Sequence, residues 1–133
     1  MQENKTSEYW ICQRYIENPY TIGGKKFDLR LFVLVISFRP LEVWLYDSGF
    51  ARFSLLRYDD SEHAIHDKTM HLTNVSVQKK ADGYDEDIGC KYDLRSLKMH
   101  LMRNHGVQKT DDTFYQIQKV ILQSLYSVKD TMI

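Results

Sequence analysis

Apolar and polar positions divide the chain into an alternating front half and a helical back half. Residues 9–16 are rich in aromatic and β-branched side chains and read as a strand. Asn18-Pro19 breaks it, and Gly23-Gly24 marks a turn. A stronger strand is predicted over residues 27–38. At its start, alternation puts Lys26, Asp28 and Arg30 on one face and Phe27, Leu29 and Leu31 on the other. Beyond Arg30 both faces turn apolar, with Phe32, Leu34 and Ile36 against Leu31, Val33 and Val35, the pattern of a central strand buried on both sides. Arg39-Pro40 predicts a turn, residues 41–46 a third strand, Asp47-Ser48-Gly49 a tight turn, and residues 50–55 a short strand. The last three strands form an antiparallel meander.

From Asp59 the composition changes. Residues 59–93 hold nine acids against four bases and read mostly as a solvated acidic loop, with His71 to Val75 as a turn and strand start. Asp93 is placed to cap a helix over residues 94–104 that carries Leu94, Leu97 and Leu101, and His105-Gly106 ends it. Thr110 is expected to cap a second helix over residues 111–131, with Asp111 and Asp112 at its positive end. Its apolar positions Phe114, Ile117, Ile121, Leu125 and Val128 recur at three and four. The predicted fold class is α+β: a polar tail over residues 1–8, then one domain over 9–133 of antiparallel strands followed by two helices.

A 133-residue chain with 43% hydrophobic and 27% charged residues has globular composition, not that of a disordered segment. Eighteen bases balance eighteen acids, which argues against a polybasic nucleic-acid or membrane-surface protein. The balance is uneven along the chain: the first 58 residues and the tail from Leu94 are net basic, and the segment between is acidic. Cys12 and Cys90 have no disulfide-framework spacing, and the polar N-terminus lacks a signal-peptide apolar region. The longest strongly apolar run, residues 31–38, is far short of the ~20 residues of a membrane-spanning helix. The expectation is a soluble cytoplasmic protein with no nucleic-acid or membrane partner.

The charged triple Lys26, Asp28 and Arg30 runs directly into the apolar strand. Buried charges are costly unless paired or offered to a ligand. Two readings follow: an ion-pair ladder at an exposed strand end, or a cationic pocket floor for phosphate, with Asp28 holding a hydroxyl or ordering the cations. Arg52, between Ala51 and Phe53, is either a surface residue or a second phosphate clamp on a neighbouring strand. Three cations with one acid suit a nucleotide polyphosphate better than nucleic acid, which needs a long basic stripe. His71, Thr73 and Asn74 carry groups that can hydrogen-bond a sugar or small substrate. His63, His66 and His71 are too loosely spaced for zinc, and no metal ligand set is predicted. Gly23-Gly24 precedes a strand, not a helix, which excludes a P-loop, and no Gly-x-Ser-x-Gly elbow occurs.

Taken together, the runs Gln13-Arg14-Tyr15-Ile16-Glu17-Asn18-Pro19, Gly23-Gly24-Lys25-Lys26-Phe27-Asp28-Leu29-Arg30, Gly49-Phe50-Ala51-Arg52-Phe53, His71-Leu72-Thr73-Asn74-Val75 and Gln78-Lys79 resemble, in order and spacing, the tubulin-tyrosine-ligase-like family. The first run is most similar to the polyglutamylase branch. The resemblance implies a partial ATP-grasp domain. It implies an ATP- and magnesium-dependent ligase that phosphorylates a carboxylate and adds free glutamate to tubulin tails, in the cytoplasm on microtubules or in cilium, axoneme or basal body. By the same resemblance, Gln13, Arg14, Tyr15 and Ile16 form the adenine hinge, and Lys26 and Asp28 contact nucleotide and ribose. Arg30 and Arg52 meet the phosphate or acyl phosphate, and His71, Thr73 and Asn74 line the ribose and amino-acid end. The family's magnesium ligands, an Asp on a later strand and a Glu-x-Asn pair, match no residue here. The expectation is therefore part of a nucleotide site, inactive alone. The alternative is a non-catalytic tubulin- or cilium-associated binding domain of the same fold.

Overall fold

The computed structural model describes residues 10–80 and 91–132. Four antiparallel strands lie in the order β1-β2-β3-β4: Thr21–Ile22, Lys25–Phe38, Leu41–Phe53 and Lys91–Asp93. Two short helices, α1 (Lys68–His71) and α2 (Val75–Gln78), lie between β3 and β4 in sequence, and α3 (Leu94–His105) and α4 (Val107–Val128) follow. Gly23 and Gly24 make the β1–β2 turn at φ of 60° and 74°, a backbone region open to glycine at little cost. The α+β class and the strand-then-helix order hold, and α3 begins as expected. The Asp93 carboxylate accepts from the Ser96 amide at 2.8 Å, and the helix stops at Gly106.

Several expected elements differ. Residues 10–16 form no strand: among the described residues no strand pairs with them, and Trp10 and Ile11 are exposed, while Tyr9 lies outside the described residues. The Asp47-Ser48-Gly49 turn is absent, because β3 runs straight through it. The pairing passes from Leu31↔Gly49 to Val33↔Leu45, so Tyr46, Asp47 and Ser48 stand opposite Phe32 alone as a bulge. Turn-prone residues thus serve a strand irregularity. His71 to Val75 is no strand start but the link between α1 and α2. The expected loop over 59–93 therefore contains two helical turns and β4; its acids at 82–87 lie outside the described residues. Finally, α4 starts at Val107, four residues before the predicted helix. Thr110 lies in its first turn, buried, with its hydroxyl donating back to the Gly106 carbonyl at 2.9 Å, so Asp111 and Asp112 lie a turn inside the helix.

The core lies on one face of the β2–β3 hairpin. Ala51, Leu94 and Leu97 are buried, and Ile22, Phe27, Leu29, Leu31, Phe53, Leu101 and Phe114 pack around them. The odd-numbered face of β2 is thus the face that α3 and α4 cover. A fully buried leucine contributes about 1.5–3 kcal/mol, so this small cluster anchors the sheet to the helices. Beyond Leu31 the expected two-sided burial is not found. Leu34, Ile36, Trp44 and Tyr46 are 57–63% exposed, because among the described residues no layer covers that face and β4 reaches only Phe50–Arg52. The opposite face fares better, with Val35 and Val43 half-buried. On α4 the predicted stripe is recognisable, with Phe114, Ile117, Ile121 and Leu125 half-buried and Val128 exposed.

Candidate functional site: a cationic sheet face beside an open groove

The face opposite the core gathers the predicted site residues. Asp28 and Arg52 are direct cross-strand partners in the β2–β3 register. Arg52 Nε donates to Asp28 Oδ1 at 2.8 Å and Nη2 to Oδ2 at 2.7 Å, a bidentate fork. The Thr73 hydroxyl, from the α1–α2 link, donates to the same Oδ2 at 2.7 Å. Partial burial alone would raise the Asp28 carboxyl's pKa. Hydrogen bonds from Arg52 and Thr73, with the charges of Arg52 and Arg30, outweigh that and hold it below the ordinary carboxylate value. The Arg52 guanidinium is shifted up, chiefly by the hydrogen bond to Asp28.

Lys26, two residues before Asp28 on the same face, is spent differently. Its ammonium donates to the Tyr15 hydroxyl at 3.0 Å and the His71 carbonyl at 3.1 Å. It also lies 4.6 Å from the Tyr15 ring centroid. The Tyr15 oxygen is 2.9 Å from His71 Nδ1, and His71 Nε2 is 3.0 Å from the Ala64 carbonyl. A carbonyl can only accept, so Nε2 carries the proton and Nδ1 accepts from Tyr15. A relay therefore runs from Lys26 through Tyr15 and His71 to Ala64. Tyr58 packs edge-on against the His71 ring at 5.7 Å and donates to the Glu17 carbonyl at 2.7 Å. Its phenol is pushed up to about 12, first by burial, then by Tyr15 and the negative charge of Asp60 and Glu17. These contacts fasten residues 15–17 to the sheet without strand pairing.

Gln13, Arg14, Tyr15 and Ile16, with Pro19, Tyr20, Lys26 and Phe27 among their neighbours, line an open groove of about 570 Å³. Arg30 stands exposed at the far end of the cationic face, 5.8 Å from the Phe32 ring and without a hydrogen bond or ion pair among the described residues. Asn74 is exposed. Its carbonyl starts α2 by accepting from Val77 and Gln78, and its side chain makes no capping bond. So Tyr15, Lys26, Asp28, Arg52, His71 and Thr73 form one bonded cluster. Gln13, Arg14 and Ile16 flank the groove, Arg30 is the cation left open, and Asn74 stands outside the cluster. Among the described residues no group of three or more His, Cys, Asp or Glu could hold a metal ion. Both Asp28 oxygens accept hydrogen bonds, Oδ1 from Arg52 and Oδ2 from Arg52 and Thr73.

Tyr58 lies outside the motifs that point to the site. Gln78 lies within one, the Gln78-Lys79 run, but without a role assigned there: it is 1% exposed, and its carboxamide bonds to three backbone groups. Gly49 serves no turn, yet a Cβ there would lie 2.5 Å from the Arg30 carbonyl oxygen. The glycine lets β3 pass close under Arg30.

A hairpin packed by its apolar face on two helices, with Lys26, Asp28, Arg30 and Arg52 on the other face, defines a mixed α/β domain. The chain matches the tubulin-tyrosine ligase family across residues 1–133 and belongs to it. It is 45% identical over 126 residues to a probable tubulin polyglutamylase TTLL9 of Bos taurus, covering 95% of this chain and 27% of that protein. It is 45% identical over 124 residues to the probable tubulin polyglutamylase ttll-9 of Caenorhabditis elegans, covering 93% and 29%. With a probable alpha-tubulin polyglutamylase Ttll1 of Tetrahymena thermophila it shares 40% over 133 residues, covering 100% and 32%. The chain thus spans about a third or less of these relatives.

Proposed function

We propose that this chain supplies part of the nucleotide site of an ATP-dependent ligase that adds glutamate to tubulin tails. The observation that carries this reading is the convergence of Lys26, Asp28, Arg30, Arg52 and Thr73 on one sheet face, beside the groove of Gln13 to Ile16. The relatives' names, probable tubulin polyglutamylases, support the reading of tubulin as the acceptor and glutamate as the group added. On this reading the Gln13–Ile16 backbone receives the base and the Asp28–Thr73 pair meets the ribose. Arg30 offers its free guanidinium to the phosphates. Arg52 is fixed by Asp28, so it presents preorganised positive charge where phosphoryl charge develops. Lys26 joins the phosphate side by exchanging its Tyr15 contact for the ligand. Magnesium would supply positive charge to the phosphates in such a reaction, held by residues outside those described. Ligation is assigned to a longer polypeptide, because the relatives are about three times this length or more.

Calorimetric titration of ATP into the 133-residue chain tests the half-site. Arg30→Ala is expected to weaken binding about tenfold or more, which corresponds to roughly 1.4 kcal/mol. Equal affinity in the two proteins, or no ATP binding by either, overturns the reading.

A further inference from the structure

We propose that Gln78 is a positioning residue of this site: its buried carboxamide sets the Thr73 hydroxyl against the Asp28 carboxylate by tying the exit of β3 to the exit of α1. The amide orientation follows from its partners. The Leu55 backbone N–H can only donate, and it meets Gln78 Oε1 at 2.8 Å. The carbonyls of Thr69 and Leu72 can only accept, so both face Nε2, Thr69 at 2.8 Å. One side chain thus uses one acceptor and two donors on backbone from two different parts of the chain. The Leu72 carbonyl belongs to the peptide bond that leads into Thr73, so the amide holds that bond directly. Leu55 stands three residues beyond Arg52, just past the end of β3. Gln78 therefore fixes the distance between the Arg52 strand and the Thr73 link, and Asp28 is bonded to both.

The chemistry makes the position exacting. An ionised glutamate keeps the acceptor for Leu55 and loses both donors, and it turns a negative oxygen toward two carbonyls. A methionine of similar volume loses all three bonds without adding charge. In either variant the link shifts and the Thr73 hydroxyl leaves Asp28. Buried backbone groups left unpaired also lower stability, so a stability change alone would not separate positioning from packing. The Asp28 titration does separate them, because a packing role would leave it in place.

The role of Gln78 in the site rests on the nucleotide reading above, but its test needs no nucleotide. The Asp28 side-chain carbon is followed by NMR against pH in the full chain and in Gln78→Glu, Gln78→Met, Thr73→Val and the Gln78→Met/Thr73→Val double variant. The expected result is an upward shift of the Asp28 midpoint in each single variant, and no further shift in the double variant than in Thr73→Val alone. Gln78→Met keeps the test available if the buried charge of Gln78→Glu prevents folding. An unchanged Asp28 midpoint in a folded Gln78 variant overturns the proposal, and so does a double variant whose shift is the sum of the two. ATP titration of the same proteins separates the two ideas. Bound ATP with no Asp28 shift sinks the Gln78 role, whereas a shift in a chain that binds no ATP sinks the nucleotide reading and keeps the positioning.

Discussion

The near and far halves of one hairpin differ more than their sequences do. Near the turn at Gly23-Gly24, β2 has β1 on one side and β3 on the other, β4 extends the sheet, and α3 and α4 cover one face. The opposite face is polar and bonded within itself through Asp28, Arg52 and Thr73. Past the bulge the pairing continues, with a second register shift between Val35 and Ser37, and the strands are richer in apolar residues, yet Leu34 and its partner Trp44 are 63% and 61% exposed. Apolarity states what a surface would gain from a covering layer; it does not supply the layer. In the near half, alternation and cover agree. In the far half two-sided apolarity meets partial burial on one side, at Val35 and Val43, and no cover among the described residues on the other.

The sharpest way to test that contrast is to truncate one leucine in each half. Leu97 is 1% exposed at the centre of the core, so Leu97→Ala is expected to cost about 2–5 kcal/mol. Leu34→Ala removes the same atoms from an exposed strand and is expected to change stability by less than about 0.5 kcal/mol. Urea unfolding of the two variants reads both values. Equal losses would mean that the far face is covered in solution, by a second copy or by residues outside those described.

A smaller effect probes the boundary between the halves. Gly49→Ala puts a methyl 2.5 Å from the Arg30 carbonyl oxygen, which is backbone and cannot swing aside. The strands must part at the bulge, at an expected cost of about 1–3 kcal/mol. The amide signals of Leu31 and Phe50 should move with it. A variant as stable as the parent would mean that the close approach is not kept in solution.

The same contrast explains what was legible in the sequence. Elements whose signal is local came through: the Asp93 cap, the stop at Gly106, the turn at Gly23-Gly24, and the shared face of Lys26, Asp28 and Arg30. Elements defined by a partner did not. Residues 10–16 have strand composition, but side chains hold them instead, through Tyr15 to His71 and Tyr58 to Glu17. Asp47-Ser48-Gly49 is as good a bulge as a turn by composition, and only the pairing with β2 decides. The helix α4 starts early because its first turn begins right after the glycine that ends α3, which the caps considered singly did not require. For the site, residue types revealed which charges share a face. They did not reveal which are mutually satisfied: Arg52 and Lys26 are engaged, whereas Arg30 is open. Gln78 stands in the Gln78-Lys79 run, but its role was not legible, because its partners are backbone atoms, which carry no sequence signal.

The smallest expected effect concerns the polar side of the near half. The Asp28 carboxyl is held below its ordinary value, so the folded state binds that proton less readily than the unfolded state, whose value is about 3.9. Between the two values the unfolded chain carries more protons, and stability rises with pH. The Asp28 contribution is therefore complete above the unfolded value and is lost as pH falls through the folded one. Its size is limited because the Asp28 side chain is 40% exposed, and solvent screens the pair. We expect Asp28→Asn to cost about 1 kcal/mol or less at neutral pH. In that variant the new amide nitrogen would face donors on Arg52 or Thr73, so one of the two must turn away. Urea midpoints of parent and variant, measured from neutral to strongly acidic pH, should converge only below the ordinary carboxylate range. Convergence already at a pH well above that range would mean that the fork with Arg52 does not hold Asp28 ionised, and the cationic face would lose the anchor that orients it.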